Sequence, residues 1–123
     1  MTLAIDVQTT ANNARKVVLV GPLDSVTAPQ LEQRMPEFTG ANIKVVVFDM
    51  EKLDFISSAG LRIIFKTLKV VKAQGGSVGV SKMSPQVRKV FDIVKALPDL
   101  NVFASEAEMD DYLEVMQQNV SKE

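Results

Sequence analysis

The sequence predicts an α/β domain with a mixed, mostly parallel sheet of four to five strands flanked by about four helices. Two observations carry this. Apolar, β-branched runs alternate with stripes at helical spacing, in the order ββαβαβαβα. After the opening pair of strands every strand is followed by a helix, and such alternation requires parallel strands joined by crossover helices. The 123 residues suit one compact domain, placed at 1–118 with a frayed tail at 119–123.

Each element has its own local reason. Leu3, Ile5 and Val7 alternate with polar neighbours, the period of a half-exposed strand. Thr10 to Ala14 is turn-like, its asparagines tolerating left-handed backbone, and Lys16–Val20 returns as the second strand of a hairpin. Gly21-Pro22 stops that strand. Thr27 or Ser25 can cap a helix over Ala28–Phe38, with Pro29 in its first turn and Leu31, Met35 and Phe38 on one face. Ile43–Met50 is dense enough in Val and Ile for a central strand buried on both faces. Leu61, Ile64, Phe65, Leu68 and Val71 form the stripe of a second helix, which Gly75-Gly76 ends. Ser77–Val80 is a short strand. Ser84-Pro85 starts a helix with the stripe Val87, Val90, Phe91 and Val94, and Leu97-Pro98-Asp99 breaks it. Val102-Phe103 reads as a brief edge strand. Ser105 with Glu108 forms a capping box for a last helix to about Gln118.

Composition narrows the chemistry. Fourteen basic and fifteen acidic residues nearly cancel, so no global field recruits nucleic acid or an anionic membrane. With no cysteine and no histidine, the chain lacks thiolate ligands, the commonest general base and the commonest metal ligand. Triad hydrolysis and zinc catalysis find no residues here, and the reading is of a protein with no catalytic residues and no metal site. No apolar run nears the roughly 20 residues that span a bilayer, and the N-terminus lacks a signal-peptide pattern, so the expected location is cytoplasmic. Every helix has a polar face and no heptad seam recurs, so a monomer is expected when the protein is free.

Three places could nevertheless act. Asp49-Met50-Glu51-Lys52-Leu53-Asp54 lies at the carboxyl end of the central strand, where open α/β sheets bind ligands. A phosphoaccepting aspartate there would need an acidic pair after the first strand, and Val7-Gln8-Thr9-Thr10 supplies none, so these acids read as solvated loop residues or turn formers. Asp24, in Gly21-Pro22-Leu23-Asp24, reads first as a turn residue bonding nearby amides. Ser57-Ser58 precede the helix stripe that begins at Leu61, and at least one of them caps that helix. A hydroxyl at a helix start also lies where free N–H groups and the macrodipole favour an added anion, so it can carry a phosphate with little strain. Gly60 lets another backbone or a nucleotide approach closely. No G-x-x-x-x-G-K-[ST] pattern occurs, which leaves nucleotide binding a weak reading and no cofactor expected.

Three stretches, "GPLDSVTAPQL", "IKVVVFDMEKLDFISSAGLRII" and "GGSVGVSKMSPQVRKVFDIVKALPDLNVFASEAEM", are similar in order and spacing to the STAS domain family, specifically its single-domain bacterial anti-sigma factor antagonists. The resemblance spans nearly the whole chain, and the strand followed by L-D-F-I-S-S-A-G-L is its most specific part. It implies partner switching. The unphosphorylated antagonist binds an anti-sigma factor that is also a serine kinase and so frees a sigma factor; phosphorylation of one serine releases the antagonist, and a phosphatase resets it. It places the phosphoacceptor on Ser58, with Ser57 the alternative, and the partner surface on Asp24, Ser57, Ser58, Ala59, Gly60 and Arg62. Ser57 stands where the family commonly has an acid, and Ala59 where it often has a second hydroxyl. The other role implied is that of an unphosphorylated subunit in a lipid-transport or stress-sensing assembly.

Overall fold

The computed structural model describes residues 2–94 and 100–103. Its strands are β1 (Ala4–Ala11), β2 (Ala14–Leu23), β3 (Val45–Ile56), β4 (Ser77–Ser81) and β5 (Leu100–Phe103). Its helices are α1 (Ala28–Arg34), α2 (Ser58–Ala73) and α3 (Pro85–Val94). The five strands make one sheet in chain order, with β1 antiparallel to β2 and every other pair parallel. This is the mixed, mostly parallel α/β sheet expected from the alternation, and β5 occupies the edge expected of Val102-Phe103. The breaker Leu97-Pro98-Asp99, the last helix and the tail 119–123 lie outside the described residues.

The β1–β2 hairpin turns at Asn12-Asn13 without left-handed backbone: among the described residues Lys82 is the non-glycine residue with positive φ. The hairpin instead absorbs one extra residue, a bulge between Thr9 and Ala11, which supplies the twist a left-handed turn would have given. The turn is also tied to the sheet centre, since the Asn13 carbonyl accepts the N–H groups of Lys44 (2.7 Å) and Val45 (3.1 Å).

The sheet buries one face under the helices. Val17 and Leu19 of β2, Val46 and Phe48 of β3, and Val78 and Val80 of β4 meet Leu31 of α1, Leu61, Ile64 and Val71 of α2, and Val87 and Phe91 of α3. Phe38 stands edge-on to Phe48, centroids 5.8 Å apart. This burial decides the helices' existence: α1 has seven residues, well below the length at which a helix is stable alone in water. The helix expected over Ala28–Phe38 is shorter because Pro36 lacks an N–H to continue the ladder, and Met35–Glu37 tightens into a 3-10 turn. At α2's end Gly75 takes φ +81, the left-handed exit that lets the N–H groups of Gly75 and Gly76 reach the carbonyls of Lys72 and Val71. Ser84 caps α3 as expected, its Oγ accepting from the Val87 N–H at 3.2 Å.

The central strand differs most from expectation. β3 runs through Asp49 and Asp54 to Ile56, so these acids are strand residues and not loop acids. Asp49 is buried, its carboxylate 3.5 Å from Lys16 Nζ and 3.8 Å from Lys82 Nζ. β4 pairs with β3 only as far as Asp49, whereas β2 follows β3 to its end, Leu23 opposite Ile56. The β2–β3 ladder therefore projects beyond β4, and its tip carries the loop at Asp24 and the turn into α2 at Ser57.

Candidate functional site at the start of α2

Leu23 organises the tip. Its carbonyl accepts the Ser57 N–H at 2.9 Å, continuing the parallel ladder by one bond past Ile56. Ser57 is extended (φ −102, ψ 174), as a helix cap should be, and its Oγ accepts from the Gly60 N–H at 3.4 Å. The Ser57 carbonyl accepts the first α2 bond, from Leu61 N–H at 2.9 Å. Ser57 is thus the cap. Ser58, the first residue of α2, is exposed, and among the described residues its hydroxyl makes no hydrogen bond that would hold it back from chemistry.

Gly60 is buried, and the close approach it permits is internal. A Cβ there would lie 2.6 Å from Leu23 Cγ and 2.9 Å from the Leu23 carbonyl oxygen. A backbone does approach Gly60 closely, and it is the chain's own, that of Leu23. Ala59 is half-buried against the core, and Arg62 is exposed.

On the neighbouring loop Asp24 does bond nearby amides. Its Oδ1 accepts from Val26 N–H at 2.9 Å and Thr27 N–H at 3.0 Å, while the Asp24 N–H donates to Thr27 Oγ1. Thr27 Oγ1 donates in turn to the Pro22 carbonyl at 2.9 Å. The Asp24 carboxylate thus serves the amides of the turn before α1, the Asp24 carbonyl accepts the Ala28 N–H at 2.8 Å, and Thr27 makes no side-chain cap bond. The Thr27 backbone N–H above all, with help from that of Val26, holds the Asp24 carboxyl below its ordinary value.

Around these polar groups the surface is apolar. An open groove of about 250 Å³ is lined by Ser58, Leu61, Arg62 and Phe65 of α2. Val26 is 74% exposed and Phe55, in register with Pro22, is 45% exposed. These three features were absent from the sequence-level candidates, although an apolar Val26 inside Asp24-Ser25-Val26-Thr27 and a Phe55 beside the serines are visible as apolar residues in polar settings. Among the described residues no group of acids could hold a metal ion, and no helix is long and apolar enough to cross a membrane.

The fold has counterparts in known proteins. A sequence model of the STAS domain matches residues 4–109, and the chain belongs to that family. It is 30% identical over 95 residues to the anti-sigma-B factor antagonist of Bacillus subtilis, covering 76% of this chain and 84% of that one. It is 36% identical over 75 residues to the BtrV protein of Bordetella bronchiseptica, which covers 61% of this chain and 65% of BtrV. In fold it is similar to the Bacillus cell fate determinant SpoIIAA in its phosphorylated form, with a TM-score of 0.71 and 22% identity over 89% of this chain and 99% of SpoIIAA.

Proposed function

We propose that this protein is an anti-sigma factor antagonist whose binding is switched by phosphorylation of Ser58. In its unmodified form it would bind an anti-sigma factor that is also a serine kinase, freeing a sigma factor. The observation that carries the reading is the division of labour between the two serines: Ser57 caps α2, and Ser58 is exposed with an uncommitted hydroxyl. The names of the relatives add support, as does the existence of SpoIIAA in a phosphorylated form.

In the transfer step the Ser58 Oγ attacks the γ-phosphorus of ATP, the bond to the bridging oxygen of the β-phosphate breaks, and ADP leaves. The hydroxyl proton goes to a base on the kinase, since this chain has no histidine to take it. The product gains about 1.5 to 2 negative charges, taking the formal net charge from −1 to about −3. A partner surface that covers Ser58 must then desolvate a dianion, which costs several kcal/mol unless it is paired. About 2.8 kcal/mol is a hundredfold in affinity, so loss of binding requires no refolding.

The test is incubation with the cognate kinase, ATP and Mg²⁺, mass mapping of the product, and calorimetry of the kinase with wild type, Ser58→Ala and Ser58→Asp. Transfer to Ser58 and at least tenfold weaker binding of Ser58→Asp are expected. Phosphate on Ser57 would refute the acceptor assignment. No transfer, with equal affinity for all three proteins, would refute the switch and favour an unphosphorylated docking subunit.

A further inference from the structure

Resting on Ser58 as the acceptor, we propose that Arg62 is the internal counter-ion of the phosphorylated state: its guanidinium bonds the Ser58 phosphate and holds it over the groove along α2. Residues four apart lie one above the other on a helix, and helical side chains lean toward the N-terminus. Arg62 therefore leans back over the turn that begins with Ser58. Both residues line the same groove, together with Leu61 and Phe65. Arg62 is exposed, and among the described residues it makes no hydrogen bond and no ion pair, so it breaks nothing in order to turn to a phosphate.

The surrounding charges leave it as the cation for the task. Lys66, one turn further along α2, is held by Glu32 of α1 at 2.5 Å. Asp24, on the loop before α1, and Asp54 of β3 carry the sign of the phosphate, and the Asp24 carboxylate is already engaged by two amides. A guanidinium also meets a phosphate through two parallel N–H donors, which an ammonium cannot do.

Such a pair changes what a partner meets. The phosphate, drawn along the helix, places a charged and hydrated pair across the mouth of an otherwise apolar groove. Phosphorylation would then close the Leu61–Phe65 surface as well as mask the hydroxyl. Binding energy that the partner draws from apolar contact with the groove would be lost along with contact at Ser58.

The experiment installs phosphoserine at position 58 during translation, without a kinase, in wild type, Arg62→Gln and Arg62→Lys chains, and follows the phosphate by ³¹P NMR titration. The second ionisation, near pH 6 for a free phosphoserine, is expected about 0.2–0.4 of a pH unit lower in wild type than in Arg62→Gln. Arg62→Lys should fall between them, and the difference should shrink in 0.5 M NaCl as an exposed pair is screened. Matching circular dichroism and unfolding midpoints of the unmodified chains show that the fold is kept. Equal titration midpoints in wild type and Arg62→Gln would overturn the proposal. Because no kinase is used, that result is separate from a failure of Ser58 as the natural acceptor, which the kinase mapping reads.

Discussion

Replacing Gly60 with alanine should destabilise the protein although alanine is the better helix former. Exchange of a helical glycine for alanine ordinarily stabilises by about 1 kcal/mol, through propensity and a less flexible unfolded chain. Here the added methyl would sit 2.6 Å from Leu23 Cγ and 2.9 Å from the Leu23 carbonyl oxygen, both shorter than real Cβ contacts. The side chain could rotate away, but the carbonyl is fixed by its bond to Ser57 N–H. The first turn of α2 must therefore move outward. Overpacking of this kind costs about 1–3 kcal/mol, and subtracting the ordinary gain of about 1 kcal/mol leaves a net loss of about 1 kcal/mol at the middle of that range. Urea unfolding should show a lower midpoint with an unchanged slope. The double variant with Leu23→Ala removes the carbon contact and keeps the carbonyl contact, so the two substitutions should be non-additive, with only partial rescue. A Gly60→Ala protein as stable as wild type would refute the claim that close packing on Leu23 sets the position of the helix start.

Two further outcomes follow from the same loops. Ser57→Ala should lower stability by about 1 kcal/mol and leave phosphate acceptance by the kinase intact, while Ser58→Ala should change stability by less than about 0.5 kcal/mol and abolish acceptance; urea unfolding and phosphate mapping on the same samples read both. Asp24→Ala should lower stability at pH 7, and the loss should vanish in acid. The sign is fixed by the direction of the shift. The folded carboxyl is held below its ordinary value, so its contribution is fully present above the unfolded carboxyl's range near pH 4 and disappears as pH falls through the lower folded value. Unfolding curves for the two proteins should converge once the pH lies below the lowered folded value, and a difference that persists in the most acidic samples would show that Asp24 acts by packing and not by charge.

The elements that the sequence made legible are those governed by local rules: the apolar run that became β3, the stripe of α2, the Ser84 cap of α3. The capping role of Ser57 and the turn role of Asp24 were legible too, because short polar side chains bond amides within three residues of themselves. What escaped is set by contacts across the sheet. The extension of β3 through Asp49-Met50-Glu51-Lys52-Leu53-Asp54 depends on β2 lying alongside it with two bulges, which no pattern within the segment announces. Asp49 looked solvated because its lysines are 33 residues away in either direction, at 16 and 82. That Gly60 faces Leu23 was not legible, because sequence cannot say which backbone a glycine faces.

Leu23 ties the two loops of the projecting ladder together: its carbonyl holds Ser57, its side chain abuts Gly60, and the residue after it is Asp24. A partner that reads both loops consequently meets one stiff template, and neither loop has to be ordered on docking. Time enters differently as well. Under the proposed switch no step would require this template to refold, so the pace of the cycle would belong to the enzymes that add and remove the phosphate and not to the protein that carries it.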